Sequence, residues 1–206
     1  MPHKPSEREY RAMPLLTPGS GEKRIQSDFY AEGYATTYNQ PYELGHIDGV
    51  TYYEQIDPRA LIGADLSDVI MQYDHEGRVL ARQSNGTLLI EPDDPNGLFV
   101  AADLSRSDAA RAIYEDIQAG LVRGMSWAFT VADGGDYFDF ATHTRTITKI
   151  RKVYDVSAVS VPANPATDIS ARSYCERRAA EEKQEIAENL AKREKTRAEC
   201  LALLAL

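Results

Sequence analysis

Ser126 stands in GLVRGMSWAFTV, residues 120–131, where strict alternation puts Met125, Trp127, Phe129 and Val131 on one face of a strand and Ser126, Ala128 and Thr130 on the other. The bulky face packs a core. The face of small side chains leaves room for a substrate, or for another strand, to approach the hydroxyl. A serine becomes a nucleophile only when a base takes its proton, and the chain has four histidines: His3, His46, His75 and His143. His3 lies in a polar opening segment, His46 in a glycine-flanked loop and His143 in a polar stretch. His75 ends DVIMQYDH, a strand in which Val69, Met71 and Tyr73 share its face, so the backbone sets the imidazole at the rim of a packed surface. A structural histidine at a strand end fits the same residues. Asp155, inside the apolar VYDVSAVSV, is a carboxylate that burial penalises unless it is partnered, and it could orient an imidazole and stabilise its protonated form. An edge-strand aspartate facing water is the other reading.

The chain order His75, Ser126, Asp155 narrows the chemistry. GMSWA lacks the second glycine of a nucleophile elbow, which disfavours an α/β-hydrolase. A chymotrypsin-like enzyme would place its serine after both other members. There is no HExxH, no ligand spacing among the scattered histidines and aspartates, and no phosphate-cradling glycine loop, so neither a metal nor a cofactor is expected. Cys175 and Cys200 are too far apart for a CxxC pair and read as free thiols.

The elements that must position these groups fit one domain of moderate size with appendages, given 206 residues and 43% apolar content. A net charge of -9 with no basic patch argues against a nucleic-acid partner. No apolar run reaches the roughly 18 residues of a membrane span, and the opening MPHKPSEREYR is too polar for a secretory leader, so a cytoplasmic protein with no membrane partner is expected.

Residues 1–27, rich in Pro, Gly and charge, read as a flexible N-terminal arm, with order beginning near Phe29. FYAEGYATTYN and VTYYEQI predict two strands. DVIMQYDH, VLARQS, TLLIE and LFVAADL, punctuated by Asn85-Gly86 and DDPNG, predict an antiparallel meander. A helix follows, capped by Ser105 or Ser107, with Asp108 in its first turn and an Ala109, Ile113, Ile117, Leu121 stripe, ending at Gly120 or Gly124. After the serine strand come a DGGDYFD loop and the β-branched TRTITKIRKVYDVSAVSV, stopped by PANP. The chain is thus mainly β with helices. From residue 176 onward, seven basic and seven acidic residues cancel, and strong helix formers carry only a thin apolar stripe, chiefly Ile186 and Leu190, before LALLAL. That pattern suits a solvated helix or a partner-binding one.

Taken together, FYAEGYATTYN, QYDHEGRVLARQSNGTLLIEPDDPNGLFVAADL, GLVRGMSWAFTV with the helix before it, and YDVSAVSVPANPATDIS resemble the prohead maturation proteases of tailed bacteriophages. This is the HK97-type family, whose fold is related to herpesvirus assemblins, and the resemblance runs from about Phe29 to Ile169. It implies an α+β fold built on a closed or partly open antiparallel β-barrel, with an arm over 1–27, a protease domain over 28–170 and a charged helical tail over 171–206. It also implies a serine endopeptidase that trims phage major capsid protein or scaffold segments inside the immature prohead, in the host cytoplasm, and it is compatible with self-association. The nucleophile falls on Ser126 and the base on His75. An acidic residue, often Glu, stands in the family where this chain has Asp155, whereas assemblins use a second histidine, which makes His143 the runner-up. A non-catalytic protein of phage assembly, using the same β domain to organise scaffold, is the alternative.

Overall fold

The computed structural model describes residues 8–13, 16–19, 22–160 and 169–204, with the side chains of the last helix described over 171–197. In chain order the strands are β1 Glu9–Met13, β2 Leu16–Thr17, β3 Tyr30–Thr37, β4 Tyr42–Ile47, β5 Val50–Ile56, β6 Ile70–Tyr73, β7 Glu76–Arg82, β8 Leu88–Glu91 and β9 Gly97–Asp103. Helix α1, Asp108–Gln118, leads to β10 Gly124–Val131, β11 Asp136–Asp139, β12 Thr144–Ile147 and β13 Ile150–Val159, and helix α2, Ile169–Leu204, follows. The α+β expectation holds.

The strands form three sheets, ordered β1-β10-β13-β6-β7, β2-β3-β9-β8 and β11-β12-β5-β4, and among the described residues no closed barrel is found. Two pairings, β13 with β6 and β12 with β5, are parallel, so the sheets are not uniformly antiparallel. The predicted meander breaks at Asn85-Gly86. A short 3-10 turn over Gln83–Asn85, capped by Gly86 at φ 76, carries the chain from β7 to β8 in a different sheet instead of closing a hairpin between them. DDPNG does join a hairpin, β8 to β9. There Gly97 is required, because a Cβ would lie 2.0 Å from the Thr36 carbonyl oxygen on β3.

The main core lies between the bulky face of β10, with Met125, Trp127 and Phe129, and Ala31, Ala35, Val100 and Ala102 of β3 and β9. Helix α1 closes it. Ser107 is the cap, its hydroxyl accepting the Ala110 N–H at 3.1 Å, an interaction worth about 1 kcal/mol. The helix buries Ala110 and Ile117, packs Ala109 and Ile113 partly against the core, and stops before Leu121, which is 66% exposed.

Two terminal expectations are corrected. Glu9–Met13 is not an arm but the edge strand of the five-stranded sheet, paired antiparallel to β10 from Glu9 opposite Phe129 to Met13 opposite Met125. The charge that made it read as unstructured is buried: Arg11 and Arg145 share Glu9 and Glu54, and Arg145 also reaches Asp136. At the other end, α2 begins as a docked helix. Ala171, Tyr174, Cys175 and Ala179 pack on Leu44 and Tyr52, and Lys183 pairs with Asp48 at 2.7 Å. Beyond Lys183 the described side chains are exposed, Ile186 and Leu190 included. Cys175 is free, and burial pushes its thiol up to about 11, which makes it a packing residue rather than a reactive one. The side chain of Cys200 and the final LALLAL lie outside the described side chains.

Candidate active site

Strand β10 sits between β1 and β13, so its backbone is paired on both edges and Ser126 is held rigidly, opposite Ala12 on one side and Ser157 on the other. Partners directly opposite in a sheet share a face. Tyr10, Ala12, Ala128, Asp155 and Ser157 therefore lie on the face of Ser126. The pairing shifts between Ala128 and Phe129, which sit opposite Asp155 and Val153, leaving Tyr154 as an extra residue on β13. That bulge lets Val153 and Val156 both join the core while Asp155 turns to the other side.

His75 is not at the end of a strand. It is the second residue of a two-residue turn joining β6 and β7, with Asp74 at φ 49 and His75 at φ 62. Two left-handed residues match the twist of a tight hairpin, but the second is a position that normally favours glycine. A histidine held there carries backbone strain, which recurs at functional sites. The turn is anchored by the Asp74 N–H to the Ala158 carbonyl, 3.0 Å. From it the imidazole reaches back over β13. Its Nδ1 lies 2.5 Å from Asp155 Oδ1 and its Nε2 2.6 Å from Ser126 Oγ.

With Asp155 as a carboxylate, which only accepts, the neutral ring that suits both contacts is the tautomer that donates from Nδ1 to Asp155 and accepts at Nε2 from the Ser126 hydroxyl. The ring of Tyr10 meets the imidazole edge-on at 4.8 Å between centroids, so β1 walls the site. Ser157 donates its hydroxyl to Asp155 Oδ1 at 2.9 Å. Ser126 is 2% exposed, whereas the His75 side chain retains 17%, so the site meets solvent at the histidine and the small-residue face is not open as expected.

The other histidines are elsewhere. His143 Nε2 faces Glu182 of α2 at 3.3 Å and its ring packs on Tyr52, and His46 bonds Thr51 at 3.0 Å. His3 lies outside the described residues. A cavity of about 530 Å³ lined by Tyr53, Gln55, Tyr137, Asp139, Thr142 and Thr146, among others, lies on the β11-β12-β5-β4 sheet, and none of Ser126, His75 and Asp155 lines it. Two residues of this arrangement, Tyr10 and Ser157, are not singled out by the sequence patterning. Ser157 was within reach, since it follows Asp155 at strand spacing in the same stretch. Tyr10 was hidden by the polar composition around it.

A family model described as caudovirus prohead serine protease matches residues 21–184. No curated protein and no solved structure matches the chain.

Proposed function

The chain belongs to the caudovirus prohead serine protease family, and from that premise we propose that it is an endopeptidase acting through Ser126, His75 and Asp155 on capsid-protein or scaffold segments inside the immature prohead. The observation that carries this reading is the hydrogen-bonded series from Ser126 Oγ through His75 to Asp155 Oδ1, with gaps of 2.6 and 2.5 Å. As Oγ attacks the scissile carbonyl carbon, Nε2 takes the hydroxyl proton, and the imidazolium so formed is stabilised by the Asp155 carboxylate. Nε2 then returns the proton to the leaving amine, whose departure leaves an acyl-enzyme on Ser126. Water, deprotonated by the same nitrogen, releases the second product. A peptide would enter past His75 and Tyr10, where the site meets solvent.

In this reading the protease unit includes β1 and the docked turns of α2, and residues 184–206 form the tail. The relation of the fold to herpesvirus assemblins stands on the sequence resemblance. Ser126→Ala should lower cleavage of co-expressed capsid or scaffold protein by about 10⁴-fold or more while thermal unfolding stays native-like. Native-level processing by a folded Ser126→Ala protein would refute the proposal.

A further inference from the structure

Asp155 Oδ1 serves two donors. It faces His75 Nδ1 at 2.5 Å and accepts the Ser157 hydroxyl at 2.9 Å. Ser157 has no exposed surface, and it sits directly opposite Ser126 across the β10-β13 pair. Packing alone does not call for a hydroxyl there, because burying one carries a desolvation cost that alanine avoids. We infer that Ser157 is a positioning residue for the hydrolysis, acting through Asp155, an inference that rests on the triad reading above.

The terminal torsion of an aspartate is broad, so one hydrogen bond to His75 leaves the carboxylate free to swing. A second donor on the same oxygen fixes its plane. That fixes the direction from which Nδ1 is held, and through the rigid ring the direction of Nε2 toward Ser126 Oγ, 2.6 Å away. The Ser157 hydroxyl also draws charge from Oδ1.

The test compares Ser157→Ala, Ser157→Val and Ser157→Thr in the full chain, with a capsid-protein peptide that the native enzyme cleaves. Thr and Val have the same shape and differ in the hydroxyl, so their comparison removes the effect of added volume at this buried site. Ala and Val should each lower kcat about tenfold or more with KM within about twofold of native. Thr should restore kcat relative to Val. Equal behaviour of Thr and Val, or a native kcat in Ser157→Ala, would overturn the inference. If Ala fails to fold, Thr against Val decides. Were Ser126→Ala to remain active, the triad reading itself would fall. An inactive Ser126→Ala beside a native-like Ser157→Ala defeats only the role given to Ser157.

Discussion

Replacing Arg145 by methionine should be among the most damaging single changes outside the candidate site. Its guanidinium has no exposed surface and hydrogen-bonds Glu9 at 2.6 and 3.0 Å, Glu54 at 2.9 Å and Asp136 at 2.6 Å. Burial by itself would favour the neutral form, but Glu9 and Glu54 outweigh it and hold Arg145 charged, well above its ordinary pKa. Methionine keeps most of the volume, so the loss is electrostatic: Glu9 and Glu54 are left to share Arg11, Asp136 loses its ion pair with Arg145, and Glu54 is fully buried. Removing one partner from a buried ion pair costs about 3–5 kcal/mol. In a chain of this size each kcal/mol lowers Tm by about 2–4 °C, so a fall of roughly 6–20 °C is expected in thermal unfolding followed by circular dichroism. Because Glu9 and Arg11 flank Tyr10 on β1, residual activity measured below the new Tm should also drop. Adding Glu9→Gln should recover part of the stability, since it removes one negative charge from a buried cluster that has lost a positive one. A Tm within about 2 °C of native in Arg145→Met would show that the cluster does not hold β1 in place.

In peptide cleavage assays, His75→Ala should abolish activity, and Asp155→Asn should impair it more than His143→Ala, because His143 bonds Glu182 rather than the candidate site. The reverse ranking would point to a Ser-His-His arrangement. Burial alone would raise the pKa of Asp103, but hydrogen bonds from Ser27 and Ser105 prevail and hold it below the usual carboxylate range. A depressed folded pKa contributes stability above the unfolded value that is lost as pH falls through the folded one. Urea midpoints should therefore decline from neutral pH toward about pH 3 less steeply in Asp103→Asn than in the native chain, and equal slopes would contradict this. Deleting residues 184–206 should leave Tm within about 2 °C and retain cleavage of an unstructured peptide, yet lower the protease content of purified proheads. Deletion from residue 176 should destabilise, because it removes Ala179 from the cluster with Leu44 and Tyr52. The exposed segment beyond Lys183 is the part of α2 left free to bind a prohead partner, and equal incorporation after the shorter deletion would show that it does not.

What could be read from the sequence was whatever local chemistry dictates. Alternation placed Trp127 in the core and Ser126 opposite it, and β-branched density located most strands. The candidate trio was visible as polar groups in apolar stretches. What failed depended on partners far along the chain. Alternation sends Val153 and Asp155 to the same face, and only the bulge at Tyr154 separates them. His75 reads as a strand end because a tight turn using two non-glycine left-handed residues leaves no compositional mark. Glu9 and Arg11 read as a solvated pair because the other members of their buried cluster, Glu54 and Arg145, are 43 residues or more away.

The central claim is that the Ser126 hydroxyl is activated by His75, and fluorophosphonate labelling followed by peptide mapping tests it most directly. The native chain should give one adduct, on Ser126. Ser126→Ala should give none, and His75→Ala should label at least about 100-fold more slowly while still folded, since the proton acceptor is gone. An adduct on another residue, or labelling of Ser126 at the native rate without His75, would contradict the account.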